Sequence, residues 1–275
     1  MFIEQDLLQQ KTDLNRSIIM KLKSTAASLA VATALSLSAG AANALTVAGV
    51  TWDPDSPFDL TAQSSIFQTV AIAAGQSISG YGRFNELNFV DRDIFCPDCE
   101  LTYHFYDYVL MEDYLPTVGS SFRFSGGKVD VYVSGRNFDA TDPASAIDGT
   151  LWLSLIGMDI DGDGATLSGS INAVSSLGLG LSGVGEGYLE VVGGAAAPYF
   201  DTNGQPDPVN GPADLLYTSS FQPSRTPIVG PDGVTYTHFG TAEISGNTVP
   251  EPGALALLGL GLAGLGVMRR TKKAA

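Results

Sequence analysis

Hydrophobic and polar residues alternate in short runs between residues 45 and 248. The clearest runs lie at 101–106, 129–133 and 151–155, where every second residue is Leu, Val, Tyr or Phe. A period of two residues is typical of a β-strand with one buried face. Further strands are predicted at 46–52, 65–73, 79–89, 120–124, 166–174, 188–192, 215–221 and 235–244, with Gly and Pro clusters between them. No helical repeat continues over three turns, so we predict an all-β fold, an antiparallel β-sandwich or jelly roll.

The N-terminal pattern differs from this alternation. Two lysines precede an apolar stretch at 26–38, and the tripeptide from Ala42 to Ala44 follows it. A basic start, an apolar segment of about 13 residues and an A-x-A site are the parts of a secretory signal peptide. The sequence therefore predicts a signal peptide at 20–44 that is cut between Ala44 and Leu45.

A second apolar segment, 16 residues without a charge, lies at 253–268. As a helix it would be about 24 Å long, slightly less than the roughly 30 Å hydrocarbon core of a bilayer. Four basic residues follow it, beginning with Arg269 and Arg270, and cations at one end of a span mark the cytoplasmic side. We predict one C-terminal transmembrane helix with the preceding domain exported. A buried core helix is the alternative, which the five glycines of the segment disfavour.

The residues before this span carry a recognisable signature, Val249, Pro250, Glu251 and Pro252. Proline favours extended structure in the residue before it and lacks a backbone donor, so a helix should begin only after Pro252. The Pro-Glu-Pro signature, the short apolar span and the basic end resemble the PEP-CTERM sorting signal of Gram-negative bacteria. This resemblance implies export by the general secretion machinery and processing by an exosortase-type enzyme.

The same resemblance carries two further implications. Such substrates are linked to exopolysaccharide and to biofilm or floc formation, and the tail also resembles a segment known as the ice-binding protein C-terminal domain. The exported region has no regular Thr-x-Thr ladder, so this label does not imply ice binding. The region around Phe95–Phe105 looks like an exported β-rich group that often has PEP-CTERM tails, a group that implies no particular activity.

Four segments are therefore predicted. They are an upstream extension at 1–19, the signal peptide at 20–44, an exported β domain at 45–248 and the sorting signal at 249–275. A signal that begins at Met20 favours a start codon there, and a long N-terminal region of the signal peptide is the alternative.

The exported segment is strongly acidic, with 25 Asp and Glu against 6 Lys and Arg, a net charge of −19. Such a surface repels nucleic acid and anionic lipid, and it favours solubility and the binding of divalent cations. We therefore predict no nucleic-acid partner.

The two cysteines, Cys96 and Cys99, form a C-x-x-C motif directly before the strand at 101–106. In an exported protein such thiols meet an oxidant, which favours a structural disulfide. A redox role would need the motif at the start of a helix, and zinc would need a second pair of ligands.

Carboxylates alternate at Asp159, Asp161 and Asp163, and Gly164 follows. Alternate carboxylates with glycine at the sixth position are the first half of a calcium-binding loop, which makes calcium a candidate cofactor. The twelfth position is Ser170 rather than the glutamate of an EF-hand. We nevertheless favour a hairpin turn between the flanking strands, because Asp-Gly pairs are strong turn signals, and a turn and a calcium site are compatible.

Several aromatic residues crowd one region: Tyr103, Phe105, Tyr106, Tyr108 and Tyr114. Flat aromatic faces stack on sugar rings, so extracellular polysaccharide is a candidate partner, although alternating aromatics are more often core. With two histidines and no G-x-S-x-G motif, we predict a non-enzymatic structural or adhesive protein. A secreted enzyme acting on polysaccharide and a calcium-dependent adhesin are the alternatives, and no catalytic residue is assigned.

Overall fold

The computed structural model describes residues 44–54, 59–175, 180–203 and 211–249, together with Gly261. The strands are β1 (Leu45–Val47), β2 (Val50–Trp52), β3 (Leu60–Gln68), β4 (Ser77–Leu87), β5 (Val90–Asp91), β6 (Glu100–Leu110), β7 (Ser121–Ser134), β8 (Thr150–Met158), β9 (Leu167–Val174), β10 (Leu181–Gly193), β11 (Leu215–Val229) and β12 (Thr235–Gly246). Two one-turn helices, α1 (Arg92–Phe95) and α2 (Ala197–Phe200), and a 3₁₀ turn (Pro143–Ala146) join them. The all-β prediction is confirmed.

Ten strands form one antiparallel sheet that closes on itself. The sheet runs β11, β12, β3, β4, β6, β7, β8 and β10, and β10 then pairs with β11 from Gly183–Phe221 to Leu189–Leu215. β1 and β2 form a separate hairpin. The sequence predicted a sandwich or jelly roll of two sheets, whereas the hydrogen bonds form one continuous sheet. The difference arises because β10 pairs along both of its edges, which leaves no gap between β8, β9 and β11.

β8 and β9 lie end to end in the sheet, so that together they take the place of one strand between β7 and β10. Both are antiparallel to β7 and to β10, with β8 beside the second halves of those strands and β9 beside the first halves. The aspartate-rich connection at 159–166 is therefore a loop that interrupts what would otherwise be one continuous strand between β7 and β10. The hairpin turn predicted there is wrong, because the two flanking strands do not fold back on each other.

The interior of the closed sheet is filled by side chains from its walls. Leu101, Tyr103 and Phe105 of β6 are at most 4 % exposed, which confirms the predicted inward face of this strand. At one end, the rings of Trp52 and Trp152 meet edge to face at 5.8 Å, and Phe200 of α2 packs on both. Burial of so many large apolar groups is the main driving force for this fold.

Two predicted strands, at 120–124 and 129–133, are one strand in the structure. β7 continues through Gly126 and Gly127, both at positive φ, and Asp107 of β6 lies opposite with φ of 60°. A Cβ atom on Gly127 would overlap the ring of Tyr108, so this bulge requires glycine.

Several sequence predictions lie outside the described residues. These are the signal peptide up to residue 43, including Ala42, and the sorting signal after Val249 apart from Gly261. Among the residues that the structure describes, no helix has both the length and the apolar character that a membrane span requires.

Candidate functional site

Both ends of the folded domain meet at one end of the closed sheet. The ring of Trp52, which ends the N-terminal hairpin, lies 5.7 Å from the ring of Tyr199. The backbone N–H of Val249 donates to the carbonyl of the same Tyr199 at 2.8 Å. We call this region, which comprises the β1–β2 hairpin, the turn at 88–89, α1, α2 and residues 248–249, the exit end.

The last residues of the domain are held by a buried polar contact. Both the backbone N–H and the hydroxyl of Thr248 donate to the carboxylate of Asp59, at 2.7 and 2.8 Å. Thr248 is 6 % exposed. The carbonyl of Asp59 accepts a bond of 3.0 Å from the side-chain amide of Asn88, which also donates to the carbonyl of Asp53. The chain is thus fixed to the fold up to Val249.

The predicted N-terminal cleavage site lies directly beside ordered structure. Ala44 is exposed, and Leu45 is the first residue of β1, paired with Trp52. The indole N–H of Trp152 donates to the carbonyl of Val47 at 3.1 Å, which ties the hairpin to the core. A cut between Ala44 and Leu45 would leave the hairpin intact.

The sorting residues divide at this point. Val249 is placed by the structure, whereas Pro250, Glu251, Pro252, Arg269 and Arg270 lie outside the described residues. The contacts that hold Thr248 join residues far apart in the chain, so no local sequence pattern could have identified Asp59 or Tyr199.

Cys96 and Cys99 form a disulfide in the structure. Their loop follows the single turn of α1 and precedes β6, and the Cys99 sulfur lies 3.5 Å from the carbonyl of Gly49 in the β1–β2 turn. The guanidinium of Arg136 donates to the carbonyl of Cys96 at 3.1 Å. The bridge thus holds a connection at the exit end, and β6 rather than a helix follows it.

A buried carboxylate adjoins this loop. Glu100, whose side chain is 1 % exposed, accepts from the backbone N–H groups of Asn137 and Phe138 at 2.7 and 2.5 Å. The guanidinium groups of Arg83 and Arg92 lie 3.8 and 3.5 Å from it. These four partners compensate for the burial of the charge and fix the start of β6.

The aspartate-rich loop is organised around its first carboxylate. Asp159 accepts from the backbone N–H groups of Gly162 and Gly164, both at 2.8 Å, and these bonds, chiefly that of Gly164, lower the pKa of Asp159. Asp163 forms an ion pair of 2.7 Å with Arg123 of β7. Asp161 is exposed. Among the described residues, no three His, Cys, Asp or Glu side chains are grouped so that they could hold a metal ion.

The crowded aromatic residues divide between the inside and the outside of the sheet. Tyr103, Phe105 and Tyr108 are buried in the core, so they cannot stack on a sugar. Tyr106 lies on the outer face, where its hydroxyl donates to Asp130 at 2.9 Å. Burial and this carboxylate raise the pKa of Tyr106 to about 12. The fifth residue, Tyr114, donates its hydroxyl to a backbone carbonyl at 3.0 Å.

The histidines do not meet in one place. His104 lies on β6 with its ring stacked on that of Tyr106 at 5.0 Å. His238 lies on β12, is 4 % exposed, and shares a hydrogen bond of 2.8 Å with the hydroxyl of Thr237. Burial lowers the pKa of both imidazoles.

A polar groove of about 750 Å³ crosses the outer face of the sheet. Strand registers place one polar side chain on each strand along it, in the order Glu86, Gln63, Glu243, Thr218 and Glu186. Serine, threonine and glycine form most of the remaining lining. This surface offers hydrogen-bonding groups to a ligand and lacks the aromatic platforms that the sequence analysis considered.

The structure shows an antiparallel β domain whose last described residues at the exit end are Thr248 and Val249. Residues 248–270 match the family model of the PEP-CTERM protein-sorting motif, which confirms the resemblance of the tail. The match begins at Thr248, within the part of the chain that the fold holds. No curated protein and no solved structure matches the chain.

Proposed function

We propose that the protein is an exosortase substrate that is presented at the cell surface or in the extracellular matrix, where it acts as a non-enzymatic structural or adhesive component. The N-terminal signal delivers it through the general secretion pathway. The C-terminal helix holds it transiently in the inner membrane until an exosortase-type enzyme cuts near Pro250–Pro252. Its role there is linked to exopolysaccharide and to biofilm or floc formation.

The observation that carries this proposal is the match of the sorting motif at 248–270. Because Thr248 and Val249 are fixed at the exit end, the motif begins where the folded domain ends. The β domain and the sorting motif are thus consecutive parts of the chain with almost no linker between them. This arrangement supports a passenger that keeps its fold when the tail is removed.

The polar groove supports a binding role for the delivered domain. Its three glutamates lie on every second strand, so that their backbones are about 10 Å apart along the row. A groove lined by carboxylates and hydroxyls favours neutral or amino sugars over acidic ones.

Calcium-dependent adhesion is the second candidate function. The loop from Asp159 to Gly164 has the residue types of a calcium loop, and Asp159 already has the fixed orientation that a ligand requires. Arg123 occupies one side of Asp163, where it would compete with a divalent cation. Calorimetry with calcium, described below, tests this candidate.

Two experiments test the proposed function. In the first, surface fractions of cells that express the wild-type chain are compared with those of cells expressing a chain that ends at Val249. We expect the truncated chain to be released to the medium without passing through the membrane fraction, whereas equal distributions of both chains would contradict sorting by the tail.

In the second experiment, the purified protein is incubated with polysaccharide from the matrix of the producing cells. A binding protein retains the polysaccharide without changing its chain length. Shortened chains would contradict the non-enzymatic assignment and favour the hydrolase. Glu243→Gln serves as the groove variant, since it removes one charge without changing the size of the side chain.

A further inference from the structure

An exposed aromatic side chain stands at a strained position of the exit end. Asn88 and Phe89 form the two-residue turn between β4 and β5, with φ of 48° and 64°. Gly, Asn or Asp normally fill such positions, because a larger side chain crowds its own backbone at positive φ. Phe89 is 63 % exposed, so burial of its ring does not compensate for this strain.

A second large apolar side chain, Ile94, is 65 % exposed on α1. α1 packs against both β2 and β4, which places Ile94 at the exit end as well. The exposed residues around it are Asp91, Asp93, Pro97 and Asp98. Asp93 forms ion pairs with Arg136 at 2.8 Å and with Arg92 at 3.8 Å, so Asp91 and Asp98 carry the remaining negative charge. We call the two exposed apolar residues, Phe89 and Ile94, the exit patch; the charges around them are mixed, with a small negative balance.

The exit patch adjoins the start of the sorting motif. Asn88, the neighbour of Phe89 in the turn, donates to Asp59, and Asp59 in turn holds Thr248. The motif match begins at that threonine. An enzyme that cuts near Pro250–Pro252 would therefore act within a few residues of the exit end.

We propose that the exit patch is a docking surface for the enzyme that processes the sorting signal. This inference rests on the proposed function. The partner would supply apolar pockets for Phe89 and Ile94 and basic groups opposite Asp91 and Asp98. Contact at the patch and at the motif together would raise the effective concentration of the motif at the enzyme.

The remaining negative charge favours this occupant over the lipid surface. Membrane surfaces that contain anionic lipids attract basic segments and repel acidic ones. Asp91 and Asp98 would therefore weaken insertion of Ile94 between lipid headgroups, whereas a basic protein surface would gain from the same two charges.

The test is the rate at which the tail is removed from the full chain in cells that process it. The variant combines Phe89→Asn with Ile94→Ser. Asparagine tolerates positive φ and both positions are exposed, so the melting temperature should not fall. We expect processing to slow about fivefold or more, since truncation of two interface anchors typically costs more than about 1 kcal/mol.

Leu115→Ser with Val118→Ser is the matched control. These residues are 75 % and 65 % exposed and lie between β6 and β7, at the opposite end of the closed sheet. The control should be processed at the wild-type rate. Wild-type processing of the exit-patch variant, or equal slowing of both variants, would overturn the docking surface while leaving the proposed function intact.

A photo-crosslinking residue at position 89 identifies the occupant. We expect a crosslink to the processing enzyme from position 89 and none from position 115. A crosslink to lipid alone would overturn the inference. A wild-type tail that is never removed would instead contradict the proposed function itself, so the two failures are distinguishable.

Discussion

The carboxylate of Asp59 accepts two hydrogen bonds from Thr248, which lies 189 residues later in the chain. This contact joins the residue directly before β3, the first strand of the closed sheet, to the first residue that matches the sorting motif. It lies at the boundary between the β domain and the residues that match the sorting motif.

Replacing Asp59 should loosen that boundary. Asp59→Ala leaves the buried N–H and hydroxyl of Thr248 without their acceptor, and we expect a loss of about 2 kcal/mol in the free energy of unfolding. Urea unfolding measures this loss. Thr248→Ser keeps both donors and is the control, for which we expect less than about 0.5 kcal/mol. Equal stability of Asp59→Ala and the wild type would show that the contact does not hold the end of the domain.

The disulfide should stabilise the exit end modestly. Cys96 and Cys99 close a very short loop, for which the chain-entropy model gives about 2 kcal/mol. We expect a reductant to lower the urea midpoint of the wild type by a corresponding amount. The double variant Cys96→Ser with Cys99→Ser should unfold at the reduced midpoint with or without reductant. A wild-type midpoint that ignores reductant would contradict a stabilising role.

Two variants at the aspartate-rich loop should change its calcium affinity in opposite directions. If the loop binds calcium, Asp161→Asn removes a ligand charge and weakens binding, whereas Arg123→Gln removes the cation that competes for Asp163 and strengthens it. We expect changes of about threefold in each direction, because each substitution removes one solvent-exposed charge at the loop. Titration calorimetry measures both. If calcium gives no heat of binding with any of the three proteins, the loop is not a calcium site.

Stability should fall in mild acid because of the buried histidines. Burial lowers the pKa of His238 below its usual value of 6.5, opposed by a hydrogen bond to the backbone of Leu181. The unfolded chain then binds a proton more readily than the folded one, so this contribution is complete above about pH 6.5 and is lost as the pH falls below it. His104 acts in the same direction.

Urea unfolding at about pH 8 and about pH 5.5 should show this loss, a range in which histidine is the main titrating side chain. His238→Phe has no titrating group at position 238 and should show a smaller loss of stability. The remaining loss comes from His104. An equal loss in the variant and the wild type would mean that His238 does not contribute.

The sequence predicted the local features of the fold and missed those that depend on distant pairing. Strands such as β6 were predicted because alternate residues share one face of a strand. The closure of the sheet depends on β10 pairing with β11 along its second edge, which no local pattern encodes. The hairpin prediction for the aspartate-rich loop was wrong because Asp-Gly pairs occur in loops that interrupt a strand as well as in hairpin turns.

The candidate site divides in the same way. The sorting motif is a contiguous pattern of residue types, so the sequence alone was enough to identify it. Its attachment to the fold depends on Asp59 and Tyr199, whose partners are far away in the chain, and on the strained turn at Phe89. Those contacts form only in the folded chain, where the two ends of the domain lie side by side.

The most direct test of sorting by the tail is mass spectrometry of the C-terminus of protein recovered from the cell surface or the medium. We expect chains that end near Pro250–Pro252 and lack Arg269 and Arg270, with a folded domain that begins at Leu45. Released protein that still carries Arg269 and Arg270 would contradict processing and would leave the tail as a plain membrane anchor.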